Sequence, residues 1–332
     1  MPRRESVPTP TIRGHEAFVG TATDAIGGPV SNRVVVRGCP ARVVLEPCVG
    51  VANGLVRGDT HRGTLSACSS GGSTRVDRRR HAESMLAFGV DGCTAGWVGV
   101  ALDEHGFLGA LLAPTIEDLA AQLPDADGFG IDIPIGLLTD GFRAADRLAR
   151  RQVGPRAASV YVTPPRAVLE IDDHRKATLL AVQLTGSGIS RQAHGLRHKI
   201  LEVDRWLRSR TGGAQPRAVG DRGAAAVSGH RPRPSAPPVW EIHPEVSFTL
   251  LAGSHLPPKN SWNGATRRRQ LLHDAGVALP DDLHEAGRAK VDDVLDAAVV
   301  AWSCRRLLHG EGRSWPDPPE LGPDGWPVAI WA

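Results

Sequence analysis

Acidic side chains stand at three separated places in the sequence where they could share one chemical task. Asp91 ends a short apolar run, and Asp132 lies between two isoleucines in another. Asp293 and Asp296 are three residues apart in a late segment with helical periodicity, so they share one face of the predicted helix. Gathering such groups costs several kcal/mol per ion in desolvation, besides their mutual repulsion. A divalent cation would offset both penalties.

An all-carboxylate donor set favours Mg²⁺ or Mn²⁺, which prefer hard oxygen ligands. Two such ions about 3.5–4 Å apart can activate water and stabilise the leaving oxygen in phosphodiester hydrolysis. We therefore expect Asp91, Asp132 and Asp296 to be metal ligands, with Asp293 beside them among the catalytic residues. A structural alternative is that Asp91 caps a turn and that Asp292 and Asp293 stabilise a helix start. That alternative explains Asp296 less well, because Asp296 lies deeper in the helix.

Glu241 and His243 form a second candidate pair. They alternate with Ile242, so both lie on one face of a predicted strand. One interpretation adds Glu241 as a ligand and His243 as a general acid or base. The other interpretation is a polar, solvated strand face.

The elements that must position these residues can be predicted from Met85 onward. Strands at 87–91, 97–102 and 107–112 are separated by short glycine-containing turns, which favours an antiparallel meander. Thr115 is the predicted N-cap of a helix reaching 123, with Asp118 as its capping-box partner. A fourth strand covers 128–133.

The later chain alternates helices and short strands. The predicted elements are helices at 143–151, 190–208, 245–251, 266–275 and 291–308, and strands at 239–242 and 328–331. Three strands, a helix and then a strand paired with the first resemble the core of the ribonuclease H-like fold, an α/β class with a mixed sheet flanked by helices. In that arrangement the first and fourth strands are neighbours and the late helix packs near their ends, so the acidic groups converge. We expect the last strand to close the sheet.

Composition changes at two places in the chain. Residues 1–84 mix Arg, Gly, Ser, Thr and Pro without a sustained period, and we interpret them as a disordered extension produced by a mis-called start upstream of Met85. The alternative is a genuine disordered basic tail. Residues 211–238 are rich in Gly and Pro and are predicted to be an irregular insertion in a domain that spans 85–332.

Overall composition is typical of a globular protein, with 41% hydrophobic and 23% charged residues. No run of about 18 apolar residues is present, so we expect no membrane span. The basic N-terminus lacks the apolar stretch of a secretory signal. Five cysteines without a CxxC pair argue against a disulfide framework or a zinc site and favour the cytoplasm. The net charge of +3 says little about partners.

Eight short motifs, in order from about residue 88 to 332, resemble the family called domain of unknown function 429. They lie at 89–98, 130–137, 143–147, 163–166, 190–193, 199–204, 241–248 and 292–297. The resemblance implies a predicted nuclease of ribonuclease H-like fold, with nucleic acid as its partner. The D-x-x-D-A pattern at 293–297 also resembles the last acidic motif of Holliday-junction resolvases. One departure is Thr94–Ala95, where the family pattern has Pro-Gly or Gly-Gly; it alters the turn after Asp91 but leaves the carboxylate.

Basic residues recur in the matched motifs and could bind phosphate groups. The candidates for substrate binding are Arg143, Arg147, Arg166, Arg191 and Lys199. For the arginine-rich helix, the alternative is a solvated face with Asp146 as an internal partner.

The motifs together predict a metal-dependent nuclease that hydrolyses phosphodiester bonds. A nucleotide-binding phosphotransferase or ATPase of the actin-like group is one alternative. That group uses two duplicated domains with two phosphate-binding hairpins, and only 91–96 resembles such a hairpin. A non-catalytic binding protein on the same fold is the other alternative.

Overall fold

A five-stranded mixed sheet carries the carboxylates. Its strands are β1 Ala87–Cys93, β2 Gly96–Asp103, β3 Gly106–Ala113, β4 Gly128–Ile131 and β5 Val239–Glu241. They lie in the order β3-β2-β1-β4-β5. Strand β2 pairs antiparallel with β1 and β3, whereas β4 is parallel to β1 and β5 is parallel to β4. The predicted meander and the pairing of the first and fourth strands are therefore confirmed.

The computed structural model describes residues 85–211 and 236–332. The predicted extension at 1–84 lies outside the described residues, as does nearly all of the predicted insertion at 211–238.

Nine α-helices accompany the strands within the described ranges. They are α1 Ile116–Ala121, α2 Ala144–Gln152, α3 Arg166–Leu169, α4 His174–Thr185, α5 Arg191–Gly195, α6 Arg197–Thr211, α7 Pro244–Ala252, α8 Trp262–Asp274 and α9 Val291–His309. Short 3₁₀ turns lie at Gly154–Ser159 and His284–Arg288. The predicted cap of α1 is present, because Thr115 Oγ1 accepts from the Asp118 amide at 3.1 Å. The fold class, an α/β protein with a mixed sheet flanked by helices, is also confirmed.

Side chains alternate between the two faces of the sheet, and each face is buried by different helices. In β2, Trp97 and Ala101 pack with α1 and α6, whereas Val98, Val100 and Leu102 pack with α8 and α9. Both faces are apolar because both are covered. This burial fixes the register that places the acidic residues, since a slip by one residue would exchange the two faces.

The terminal strand does not close the main sheet, so that part of the prediction was wrong. Strand β7, Pro327–Trp331, pairs antiparallel with β6, Ser314–Leu321, in a separate two-stranded sheet. One parallel bridge joins Trp331 to Ile242, just beyond β5. Strand β6 was not predicted from the sequence, because it contains three prolines, which cannot donate ladder hydrogen bonds. The register shift between Trp315 and Glu320 leaves those prolines outside the regular pairing.

Two further helices, α3 and α4, lie in a region where the sequence analysis predicted none. Helix α4 has ordinary boundary signals: Asp173 accepts from the Lys176 amide at its start, and Gly186 ends it with a φ of 75°. Among the described residues, no helix has both the length and the apolar character needed to cross a bilayer.

Candidate metal centre

Asp91 and Asp132 lie side by side at the carboxyl-terminal ends of two parallel strands. The pairing of β1 with β4 aligns Gly89 with Gly130, two residues before each aspartate. The Asp132 amide continues this pairing by donating to the Val90 carbonyl at 2.9 Å. Because side chains alternate along a strand, both aspartates project to the face that holds the two glycines.

The sequence predicted that Asp132 lies within strand β4, but the structure places it just after the strand. The strand ends at Ile131, and Pro134 soon after cannot donate a ladder hydrogen bond. The chain therefore turns away at Asp132, whose side chain is half-buried. This position keeps the carboxylate at the sheet edge and in reach of a cavity.

Helix α9 brings Asp296 to the same place, because two glycines leave room for its backbone. A Cβ atom on Gly89 would lie 2.0 Å from the amide nitrogen of Ala301. One on Gly130 would lie 2.8 Å from the side chain of Val300 and 3.1 Å from its carbonyl oxygen. The helix thus packs its backbone directly against β1 and β4. Asp296, one residue before the Ala297–Ala301 contact zone, is carried over the strand ends.

The three aspartates predicted as metal ligands are brought together. One carboxylate oxygen from each of Asp91, Asp132 and Asp296 lies within 4.8 Å of the other two. Asp91 and Asp296 are buried, at 8% and 2% exposure. Three segments that are far apart in sequence therefore supply one compact acidic cluster, which we call the aspartate triad.

The environment of the triad opposes negative charge. Burial raises the pKa of Asp91 well above its ordinary value, and the charges of Asp132 and Asp296 raise it further. Burial also raises the pKa of Asp132, against the lowering effect of His243 and Lys259. Burial raises the pKa of Asp296 to about 7, although Lys259 favours its ionised form. The triad therefore favours bound protons unless a cation replaces them.

The donor set fits a magnesium or manganese ion. The triad offers only carboxylate oxygens, which these ions prefer. The three carboxylate oxygens lie within 4.8 Å of one another, so one ion with oxygens at about 2.0–2.1 Å could contact all three after the side chains draw together. Asp91, Asp132 and Asp296 would hold the ion, and the triad is open to solvent on the side of Asp132.

Lys259 is a charged neighbour of the triad that the sequence analysis missed. Its Nζ donates to Asp296 Oδ2 at 2.5 Å and lies 3.7 Å from Asp292 Oδ2. Burial acts to lower the pKa of Lys259, but the charge and hydrogen bond of Asp296, together with the charges of Asp91 and Asp132, outweigh it and the net pKa is raised. Lysine is rare in this chain, with four residues against many arginines. That rarity was the available signal, since Lys199 and Lys259 both line the cavity described below.

Asp293 lies beside the triad but outside the group of mutually close oxygens. It is half-buried in the first turn of α9, where burial and then the charge of Asp292 raise its pKa. Its charge also raises the pKa of Asp91. The N-cap of α9 is Lys290, without a side-chain cap bond. Asp292 and Asp293 therefore follow the cap and face the positive end of the helix dipole.

Glu241 lies away from the triad and pairs with Arg143. Strand β5 sets Glu241 level with Ile131 and not with Asp132, so alternation turns it to the opposite face. Its Oε2 accepts from the Ile135 amide at 2.7 Å and from Arg143 Nη2 at 2.5 Å. Both side chains are buried. Glu241 and Arg143 therefore form an internal ion pair, in place of the predicted metal-ligand and phosphate-binding roles.

The same ion pair fixes the wall of a cavity. Arg143 Nη1 donates to Thr163 Oγ1 at 3.1 Å, and the Thr163 amide donates to Asp146 Oδ2 at 2.6 Å. Burial acts to lower the pKa of Arg143, but Asp146 and Glu241 outweigh it and the net pKa is raised. The motifs at 143–147, 163–166 and 241–248 are therefore parts of one buried network. Asp146, proposed as an internal partner of the helix, has that role.

His243 uses both ring nitrogens in local hydrogen bonds. Its Nδ1 accepts from the Glu245 amide at 3.2 Å, which makes it the N-cap of α7. Its Nε2 lies 3.2 Å from the Ser159 carbonyl oxygen. Both ring nitrogens therefore have a hydrogen-bond partner in the fold. A role as general acid or base stays a prediction, and the ring lines the cavity that contains the triad.

The predicted phosphate-binding residues are dispersed. Lys199 lines the cavity, where its Nζ donates to the Gly96 carbonyl at 2.5 Å and lies 4.2 Å from the Trp97 ring centre. Arg166 makes a bidentate ion pair with Asp204. Arg147 and Arg191 are exposed on α2 and α5. Among the five candidates, Lys199 alone shares the cavity with the triad.

The triad opens into a cavity of about 250 Å³. Its lining includes all three aspartates, Lys199, Lys259 and His243. A second cavity of about 460 Å³ lies next to it. Tyr161, Val162, Pro164 and Ala193 line both cavities, so the 161–164 segment is a shared partition.

Fold and site together define an α/β protein whose acidic cluster sits where parallel strands end and a close-packed helix crosses them. The chain belongs to the family described as Protein of unknown function (DUF429), which matches residues 89–321. That range contains the whole triad together with Lys199 and Lys259, and the family resemblance predicted from the motifs is confirmed. No curated protein and no solved structure matches the chain.

Proposed function

We propose that this protein is a divalent-metal-dependent phosphodiesterase of ribonuclease H-like fold that hydrolyses nucleic acid. The observation that carries the proposal is the convergence of Asp91, Asp132 and Asp296 in a cavity with two lysines. A purely structural role would leave unexplained why three carboxylates with raised pKa values share a solvent-accessible pocket.

The sheet supports the fold assignment within this proposal. In the order β3-β2-β1-β4-β5, only β2 runs opposite to the other strands, and α1 connects the meander to β4. The actin-like alternative uses two duplicated domains, whereas residues 85–211 and 236–332 contain one sheet of this kind. The phosphodiesterase is therefore the better-supported member of the two enzyme classes.

The chemistry follows from the charges around the cavity. A bound Mg²⁺ or Mn²⁺ would supply water activation and stabilise charge on the phosphoryl oxygens. Asp91, Asp132 and Asp296 would hold it in their ionised forms. Lys199 and Lys259 place positive charge on the cavity lining, where a phosphate would enter. Because the carboxylates must release protons, metal affinity should rise with pH.

The proposal includes a cytoplasmic location for the protein. Cys93 and Cys304 are buried free thiols, which agrees with a reducing compartment. The cytoplasm is a reducing compartment, and nucleic acid is accessible there.

The test is cleavage by the full chain of single-stranded, duplex, hybrid and branched substrates with Mn²⁺. Asp91→Asn and Asp132→Asn should each lower the rate by about 100-fold or more, since losing several kcal/mol of charge stabilisation has that effect. Both changes are isosteric and relieve charge repulsion within the triad, so the variants should fold. Asp281→Asn, at a side chain 98% exposed, is the matched control and should keep full activity. Equal rates in all four proteins would contradict the proposal.

A further inference from the structure

Lys259 makes a short ion pair with a buried member of the triad. Its Nζ lies 2.5 Å from Asp296 Oδ2, and Asp296 is buried. Lys259 also lines the cavity that contains Asp91 and Asp132. One ammonium group therefore lies in the same cavity as all three members of the triad.

The loop that carries Lys259 is fixed on both sides. Arg268 is fully buried and donates from Nη1 to the Pro257 carbonyl at 2.8 Å. Its Nη2 is held by the Glu245 carboxylate at 2.8 and 3.1 Å. On the other side of Lys259, Ser261 Oγ donates to the Pro258 carbonyl at 2.7 Å and caps α8. This built-in support holds the lysine backbone beside the triad.

The packing of the loop leaves little freedom to move away. A Cβ atom on Gly264, in the first turn of α8, would lie 1.9 Å from the Pro258 carbonyl oxygen. The helix start is thus pressed against the segment that carries Lys259. Contacts of Arg268 with Pro257 and of Gly264 with Pro258 therefore hold this loop in place.

We propose that the triad binds a single divalent cation and that the Lys259 ammonium group supplies the second positive charge. The ionised triad and the Lys259 ammonium group by themselves carry a charge of −2, which one divalent ion neutralises. A second ion would compete with Nζ for Asp296 Oδ2. The inference rests on the proposed function for its catalytic meaning, but metal binding tests it separately.

The first experiment counts Mn²⁺ ions bound by the full chain, using titration calorimetry and the electron paramagnetic resonance of bound Mn²⁺. The wild type should bind one ion. Lys259→Met should bind a second ion, or bind the first about tenfold or more tightly, because a positive charge has left the site. Lys259→Arg keeps the charge and should bind one ion. Lys176→Met, at an exposed lysine of α4, is the matched control and should match the wild type.

The outcomes separate this inference from the proposed function. Two ions in the wild type, or one ion at unchanged affinity in a folded Lys259→Met, would overturn it. No binding in any protein would overturn both proposals. One ion in the wild type and the expected change in Lys259→Met, without hydrolysis of any substrate, would refute the phosphodiesterase and leave the Lys259 assignment standing. Circular dichroism establishes that each variant is folded.

Discussion

Replacing Gly89 with alanine should pull the triad apart without removing any of its members. The new Cβ would lie 2.0 Å from the Ala301 nitrogen and 2.3 Å from the Ala297 oxygen, whereas ordinary contact begins at 3.4 Å. Both neighbours are backbone atoms of α9, so no flexible side chain can yield. Closing the gap between 2.0 and 3.4 Å moves the helix about 1.4 Å away from β1. Asp296 moves with α9, while Asp91 stays on β1.

The expected cost in stability is about 1–3 kcal/mol, the usual range for overpacking. Mn²⁺ affinity should fall by about 10–100-fold, as is typical when the support of a metal ligand is disturbed. Urea denaturation measures the first quantity and calorimetric titration the second, both well below the unfolding temperature. Gly109→Ala is the matched control, because a Cβ on Gly109 in β3 meets nothing within 4 Å.

Two outcomes would refute this reasoning. Unchanged stability in Gly89→Ala would show that α9 does not press on β1 at this point. A clear loss of stability with unchanged Mn²⁺ affinity would show that the close approach of α9 does not position Asp296.

Two further predictions concern buried charge. The pKa of Asp296 is about 7 in the folded protein against an ordinary 3.8, so its protonated form contributes stability that is complete below pH 3.8 and lost as pH rises through about 7. At about 1.4 kcal/mol per pH unit, the metal-free wild type should lose up to about 4 kcal/mol relative to Asp296→Asn across this window in urea denaturation; a constant difference would contradict the prediction. Arg143→Met leaves Glu241 and Asp146 buried without their partner and should cost about 3–5 kcal/mol. The exposed Arg147→Met on the same helix should cost under about 0.5 kcal/mol, and equal unfolding midpoints for the two variants would refute the buried network.

The sequence allowed the triad to be predicted because each aspartate follows a strong local pattern. Asp91 ends one apolar run and Asp132 lies within another, the two runs were predicted to be neighbouring strands, and the periodicity around Asp296 defines a helix. Strand connectivity then brings these ends to one edge. The close approach of α9 was not predicted, although its signal, a glycine two residues before each of Asp91 and Asp132, is present in the sequence.

Lys259 could not be found in this way, because it lies in a loop without periodicity. Its position depends on Arg268 and Glu245, two residues whose contact forms only after α7 and α8 have packed. Such tertiary placement has no local pattern. The same reason explains Arg143, whose sequence setting on an arginine-rich helix indicated an exposed phosphate-binding face, whereas the guanidinium group is 1% exposed.

Glu241 shows that side-chain alternation along a strand does not by itself predict which face of the sheet a residue occupies. His243, predicted to share a strand face with Glu241, follows the strand as the N-cap of α7, and the alternation did not indicate which side of the sheet Glu241 would take. The register of β5 against β4 decided the matter by aligning Glu241 with Ile131. One residue of offset separates a ligand from a structural ion pair.

The partition at 161–164 has a consequence for inhibitor chemistry. Its far side is lined by Phe142, Tyr161 and Pro164, in the chamber of about 460 Å³, while its near side borders the carboxylates. With the proposed ion held by the triad, a chelating head group with two or three oxygen donors would suit the smaller chamber, and a flat aryl tail would suit the larger one. A compound that joins the two groups by a short linker across the partition would gain affinity from both chambers. Removing the aryl tail would then measure the binding free energy that the second chamber contributes.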